Sequence, residues 1–510
     1  MYLIKINKTS ILRGLFLYFL GVLSSLSLPP LNIFPTIFFL SIGIQAFLKS
    51  KNPSSAFLVG LLLGFGWFSS SLYWISNSLI VGGIKYYWMF PFSIIFLPLL
   101  LSLFWAFSFY FSFKISTFKD ERILLLIIFW TLMEFLRGNI LSGFPWNMIG
   151  FSFSSNLIMS QTVSFVGIYG QNLIILFLLS FPVFLINNYK KEALTFFIIP
   201  VLIISYSGQR LFENKSEYTN KVARLVQPSF SIQQKWDKNL IKNNIEELII
   251  LSTNKTSFPD IIVWPETAIT VFPDLFKNEI SNIADRILTK ENSLLFTGAI
   301  SREINLKEKK YKYFNSILTI DKNGSIIEKY DKNHLVPFGE YFPFRRFLPF
   351  LKTIVGEKDF SKGEKENFFE NNNIGLIKAL ICYESIFPIR NKSFISYDLI
   401  LNITNDYWFG ETVGPKQHLY LSRNRAIETG TPLVRVANNG ISVVFDSYGR
   451  ELNRLELNEK SYLDVKIPKR IKTTLYSKWN EKPMFIMIFF MIIIIFLKKY
   501  KRKVDPLNVF

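Results

Sequence analysis

The first 209 residues carry one apolar run after another, each close to the roughly 20 residues a helix needs to cross a bilayer. The runs fall near 10–28, 31–48, 55–80, 87–113, 121–137, 163–187 and 192–207, and an eighth lies at 483–497. The seventh and eighth are the shortest. In hydrocarbon every backbone N–H and C=O must be satisfied within the segment, so such runs are expected to be helices. The first could pass for a signal peptide, but further spans follow it at once and no small-residue cleavage site stands out. Half of the chain is apolar and 17% is aromatic, with 53 Phe, which is more than an ordinary soluble protein carries.

Charge placement tests this count. With a cytoplasmic N-terminus, the inside segments hold Lys5, Lys8 and Arg13, then Lys49 and Lys51, then Lys114, Lys119 and Arg122, then Lys190 and Lys191, and finally the tail "KKYKRK" at 498–503. The short outside loops hold only Lys85 and Arg137. That bias follows the positive-inside rule and places the stretch between the seventh and eighth runs outside the cytoplasm. The net charge of +20 is therefore read as membrane anchoring. No basic patch interleaved with base-reading motifs suggests nucleic acid.

Residues 210–480 have another texture. Short β-rich runs alternate with polar, helix-like stretches: "VARLVQP" (222–228), "DIIVWPE" (260–266), "LLFTGAI" (294–300), "FNSILTI" (314–320), "IGLIKALICYE" (374–384), "DLILNITND" (398–406), "PLVRVANN" (432–439) and "ISVVFDSY" (441–448). Helices are expected near 236–252, 275–290 and 416–429. This alternation predicts a layered α/β domain with helices covering the sheet faces. The domains expected are 1–209 with seven spans, 210–480 as the catalytic part, and 481–510 as a last span with a basic tail.

Three runs can carry chemistry. "VWPETAI" places Glu266 after an apolar strand, "EKYDKNHLVPFGEYFPF" contains Lys332 and Glu340, and "KALICYESIFP" holds Cys382, the only cysteine. Residues at strand ends of α/β proteins project into the crevice where ligands sit. A carboxylate, an amine and a thiol there make a nucleophilic set. The carboxylate can take the thiol proton, and the ammonium favours thiolate and steadies an oxyanion. Each residue also has a plainer reading: a buried Cys as a small apolar side chain, Glu266 as a helix cap, Lys332 as a solvated surface charge. One cysteine excludes an intrachain disulfide and any multi-cysteine metal site. His334 and His418 lack metal-ligand spacing, so no metal and no cofactor is expected. A thiol-protease pairing of Cys382 with His418 stays open as a weaker account.

These motifs resemble the Glu, Lys and Cys motifs of the carbon–nitrogen hydrolase (nitrilase) superfamily. With "KNHLVPFGEY", "NITNDYWFG", "GPKQHLYLSRNRAIETGTPLVRVANNGIS" and "LRG…GFPWN" (136–147), nearly the whole chain is similar to the apolipoprotein N-acyltransferase family. The resemblance implies a multi-pass α-helical membrane domain of about eight spans plus a nitrilase-like αββα sandwich, in a bacterial inner membrane with the catalytic domain on the periplasmic side. It implies ping-pong acyl transfer from a phospholipid, typically phosphatidylethanolamine, to the N-terminal amine of a diacylated apolipoprotein. It casts Glu266 as base, Lys332 as oxyanion partner and Cys382 as nucleophile. Glu340 becomes a second essential carboxylate, and Trp236, Tyr383 and Glu384 shape the pocket. Tyr407, Ser422 and Thr431 depart from the family's usual residues, none of them in the triad. The run "YFPFRRFLPFLKTIVG" (341–356) suits a membrane interface, with Phe344 and Phe347 as apolar contacts and Arg345 and Arg346 near phosphates. A membrane-anchored nitrilase-type amidohydrolase would use the same triad with water as acceptor, and a non-enzymatic scaffold would not need it.

Overall fold

The computed structural model describes residues 8–213, 215–253, 258–305, 310–343, 359–372, 374–390 and 395–504. The chain forms two compact units: Met1–Leu79 with Tyr86–Glu213 and Thr474–Phe510, and Ile80–Lys85 with Asn214–Thr473.

The first unit is helical. A helical segment lies over each apolar run, and among the described residues five are long and apolar enough to cross a membrane: Pro53–Ser71, Tyr86–Ile115, Val163–Ile186, Lys190–Phe212 and Lys482–Val504. The run expected to continue to residue 80 stops as a helix at Ser71, and a separate short helix, Ile75–Gly82, follows. Asn52 starts Pro53–Ser71: its side chain accepts from the Ser55 N–H at 2.8 Å, and the Ser55 hydroxyl accepts from the Asn52 N–H at 3.2 Å. That reciprocal cap satisfies N–H groups the first turn would otherwise leave bare. Glycines set how closely this helix packs. A Cβ on Gly66 would strike the Tyr18 carbonyl, and one on Gly64 would lie 2.8 Å from Ser102 Cβ. Small residues allow such approach where no hydrophobic force separates helix from lipid. The basic tail is tied down too, as Arg502 reaches Asp120 at 2.7 Å and Glu121 at 3.1 Å.

The second unit is two six-stranded sheets face to face. The strands are β1 (Tyr218–Gln227), β2 (Ile261–Val263), β3 (Leu294–Asn305), β4 (Lys310–Ile320), β5 (Ile326–Asp331), β6 (Phe368–Asn371), β7 (Gly375–Ile381), β8 (Leu399–Thr404), β9 (Leu433–Ala437), β10 (Ser442–Phe445), β11 (Glu451–Leu455) and β12 (Ser461–Pro468). One sheet runs β12-β1-β2-β3-β4-β5 and the other β11-β10-β9-β8-β7-β6. Within them β1-β2-β3 and β7-β8-β9 are parallel. Parallel strands are covered on both faces, and "IIV" and "LILNIT" are accordingly buried at every position. Leu225, Val263 and Phe296 of one sheet and Ile377, Ala379, Ile403 and Val434 of the other share the central core. Helices Ile241–Ser252 and Lys277–Ile287 cover the first sheet's outer face through Ile249 and Ile283. Helix Gly414–Thr429 covers the second through Leu419 and Ala426. The layering is helix, sheet, sheet, helix.

Four of these strands, β5, β6, β11 and β12, were not expected from the sequence. All four are edge strands, and half or more of the residues of β5 and β11 are exposed, so these two lack the apolar runs that mark β2 or β8. Edge strands carry charge because an apolar edge would invite pairing with other chains.

Candidate active site

Glu266, Lys332 and Cys382 each sit just past the C-terminal end of a strand, β2, β5 and β7. β7 does not run on to residue 384, as "IGLIKALICYE" suggested. It ends at Ile381, and Cys382 opens a tight turn, Cys382–Ile386, with φ of +49°. A non-glycine residue in that region is strained and persists only where its surroundings hold it.

Two sets of bonds do so. Glu384 Oε2 accepts from the Ile381 N–H at 2.8 Å, and its Oε1 accepts from the Tyr330 hydroxyl at 2.6 Å and the N–H groups of Asn333 at 2.8 Å and His334 at 3.0 Å. Glu384 thus ties the cysteine turn to the lysine loop, and burial pushes its carboxyl above the usual range despite these donors. On the other side, the Ser385 hydroxyl donates to the Cys382 carbonyl at 3.0 Å, and His418 Nε2 lies 3.2 Å from the same oxygen. His418 Nδ1 sits 2.9 Å from Asp406, which Arg435 contacts at 2.7 Å. Burial and the Arg435 charge hold the His418 imidazole below its ordinary pKa. The same arginine and His418 draw the Asp406 carboxyl down to about 2, against burial. His418 therefore addresses the main chain of Cys382, a geometry that lends nothing to a thiol-protease pairing.

The charged residues meet in one cluster. Lys332, 1% exposed, lies 2.9 Å from Glu340 and 3.9 Å from Glu266. Asn315 donates to both carboxylates, at 2.7 Å to Glu266 and 2.9 Å to Glu340. The Val336 N–H donates to the second Glu340 oxygen at 2.8 Å. Burial would neutralise Lys332, but the Glu340 and Glu266 carboxylates hold it charged beyond its ordinary value. Burial raises Glu266, with Lys332 opposing and the Glu340 charge adding to the rise. Cys382 is 9% exposed, and its thiol is pushed up to about 12 by burial and by the Glu266 charge, while Lys332 and a hydrogen bond from Thr404 oppose. The resting state is a neutral thiol beside a carboxyl of raised basicity. That pair can pass a proton when an electrophile arrives, with a fixed cation beside it.

The other expected residues differ in burial. Tyr383 is buried, its ring 5.7 Å from His334 and 5.1 Å from Phe387. Trp236 ends the short helix Ile232–Trp236 and is 48% exposed. Its neighbour Lys235, which the sequence did not single out, is buried and donates to the Glu266 main-chain carbonyl at 2.7 Å. Phe344, Arg345, Arg346 and Phe347 lie outside the described residues. Asn315, Tyr330, Asp406 and Arg435 were also missed. They sit inside strands or in "NITND", where only the partner across the sheets gives them meaning.

Comparison with known proteins covers both units. Residues 20–181 match the apolipoprotein N-acyltransferase N-terminal domain, and residues 223–476 match the carbon-nitrogen hydrolase family. The apolipoprotein N-acyltransferase of Rickettsia typhi is 37% identical over 490 residues, covering 94% of this chain and 97% of its own length. The chain belongs to the apolipoprotein N-acyltransferase family. The family's enzyme from Rickettsia prowazekii is likewise 37% identical, over 486 residues covering 94% of this chain and 97% of the other. Among solved structures, an amidase from Nesterenkonia sp. aligns with 50% of this chain and 92% of its own, at 19% identity and a TM-score of 0.35.

Proposed function

We propose that this membrane enzyme moves a fatty acyl group from a phospholipid, with phosphatidylethanolamine as donor, to the N-terminal amine of a diacylglyceryl-cysteine on an apolipoprotein. Family membership supports the reaction. The observation that carries the residue roles is the buried Glu266–Lys332–Glu340 cluster, whose charges act on the Cys382 thiol.

In the first half-reaction Glu266 takes the Cys382 proton as sulfur attacks the ester carbonyl. The tetrahedral oxyanion forms beside Lys332, which Glu340 and Asn315 hold in place. The C–O bond then breaks, and protonated Glu266 returns its proton to the departing lysophospholipid oxygen. In the second half the acceptor amine attacks the thioester and Glu266 takes a proton from the nitrogen. The C–S bond breaks and the sulfur is reprotonated. A neutral resting thiol fits this sequence, because a free thiolate would meet other electrophiles before a lipid arrived.

The same reading takes all eight apolar runs as spans, with 1–209, 210–480 and 481–510 as the domains. Positive charge at the inside ends supports a periplasmic position for the catalytic part at the bacterial inner membrane. Phe344, Arg345, Arg346 and Phe347 are assigned to lipid contact on their composition.

Intact-mass measurement of the full chain after mixing with phosphatidylethanolamine tests this. A fatty acyl adduct on Cys382 is expected, absent in Cys382→Ala, slowed in Glu266→Gln, and discharged by a diacylated lipopeptide as N-acyl product. An adduct discharged only to free fatty acid, with the lipopeptide untouched, would replace transfer by hydrolysis.

A further inference from the structure

The "QKWD" stretch presents two large side chains, and the structure turns the unexpected one inward. Ser231 caps the helix Ile232–Trp236, its side chain accepting from the Gln234 N–H at 3.1 Å. That start points Trp236 outward and leaves Lys235 2% exposed. A lysine is almost never so buried unless something compensates its charge. Among the described residues its ammonium has one hydrogen-bond acceptor, the Glu266 main-chain carbonyl at 2.7 Å. We infer that Lys235 is a positioning residue of the acyl-transfer site, fixing the Glu266 main chain and supplying the second positive charge that keeps the Glu266 carboxylate available as a base. The inference rests on the proposed roles of Glu266 and Cys382.

Three observations carry it. The first is charge balance. Lys332 serves two carboxylates and sits nearer Glu340 than Glu266, 2.9 against 3.9 Å, so one cation is short. The neighbouring acids are committed elsewhere: Glu384 to Tyr330 and main-chain N–H groups, Asp406 to Arg435 and His418. Lys235 is the further cation whose charge acts on Glu266, and it also acts on Cys382. The second is the backbone. Thr267, next to Glu266, has φ of +48°, and the loop is pressed on β3 so tightly that a Cβ on Gly298 would strike Thr267 N and lie 2.7 Å from Glu266 Cα. The Pro265 carbonyl accepts from the Gly298 N–H at 3.2 Å, while the Glu266 carbonyl points to the ammonium. The third is that burial draws Lys235 down to about 8 while the Glu266 carboxylate draws it back up, so its charge and that of Glu266 support one another.

The test follows the rate of acyl-adduct formation on Cys382 against pH, with phosphatidylethanolamine in detergent and the full chain. Glu266 works as a base only when ionised, so removing a nearby cation raises its pKa and moves the acidic limb to higher pH. Lys235→Met is expected to shift that limb upward, with a deficit larger at acidic than at alkaline pH. Lys235→Arg keeps the charge and is expected to restore the limb. Lys235→Gln can still donate to the Glu266 carbonyl and decides the matter if Lys235→Met does not fold; it is expected to shift the limb as well. A wild-type limb in the neutral variants, or an equal shift in Lys235→Arg, overturns the inference. No adduct on wild-type Cys382 would instead overturn the reading on which it rests.

Discussion

Each unit of this molecule buries a carboxylate–cation cluster, and the two are closed differently. In the helical unit, Glu134 accepts from Trp105 Nε1 at 2.6 Å and is paired with Arg137 on the same helix. Arg137 also donates to the carbonyls of Phe144 at 2.5 Å and Trp146 at 3.0 Å and stacks 5.1 Å from the Phe68 ring. One anion meets one cation there, and every polar atom of the pair has a partner. In the α/β unit, two carboxylates share Lys332, Asn315 bridges them while its own Oδ1 has no partner among the described residues, and the thiol beside them is neutral. A saturated pair has nothing left to give a substrate, so it holds the "GFPWN" turn in place. An unevenly shared charge can change protonation during a reaction, and that is what the proposed catalytic role requires.

The comparison breaks most readily at Arg137. Arg137→Met strands Glu134 in an apolar unit, and removing one partner of a buried pair costs about 3–5 kcal/mol. Thermal or denaturant unfolding of the full chain in detergent should show it; a loss as small as that of an exposed pair, about 0–1 kcal/mol, would mean the cluster is not structural. Lys332→Met also strands buried carboxylates, so a stability cost of the same order, about 3–5 kcal/mol, is expected together with a loss of rate. Loss of one oxyanion partner slows acylation about 10²–10³-fold, read as adduct formation on Cys382. An unchanged rate would remove Lys332 from the chemistry.

A pH profile sharpens the contrast further. Burial raises Glu266, so as pH falls it takes up its proton earlier than an exposed glutamate and acylation declines through that raised value. With the Cys382 thiol held up to about 12, no increase should appear near pH ~8.5, where a free thiol ionises. Such an increase would mean that free thiolate, not the carboxylate, limits the step. The smallest effect is expected at Tyr330→Phe. It removes the hydroxyl donor to Glu384 and leaves the main-chain donors, at about 1.5–3 kcal/mol for a bond to a charged group. Its unfolding midpoint should fall while the Glu266 limb stays in place.

Much of this was legible before any coordinates. Apolar length and flank charge marked the helical segments, and three strand-end motifs marked Glu266, Lys332, Glu340 and Cys382. Other features carried no local signal. The helix break at Ser71 is hidden because residues 72–75 continue the apolar run across it. β5 and β11 read as polar chain because edge residues face water. Lys235 looked like an ordinary lysine beside a more conspicuous tryptophan, and only the direction of one short helix buries the first and leaves the second exposed.

The sequence by itself determined which segments are apolar enough for lipid, which strands are buried on both faces, and which residue types stand at strand ends, because hydrophobic length and period are local properties of the chain. Tertiary structure alone decided which charges share a cation, which carbonyl a buried ammonium caps, and that Cys382 holds a left-handed conformation. Those depend on β2, β5 and β7 delivering their ends to one place, and the chain positions that meet there lie up to 116 residues apart, between Glu266 and Cys382. Burial then moves each pKa by an amount that no residue carries on its own.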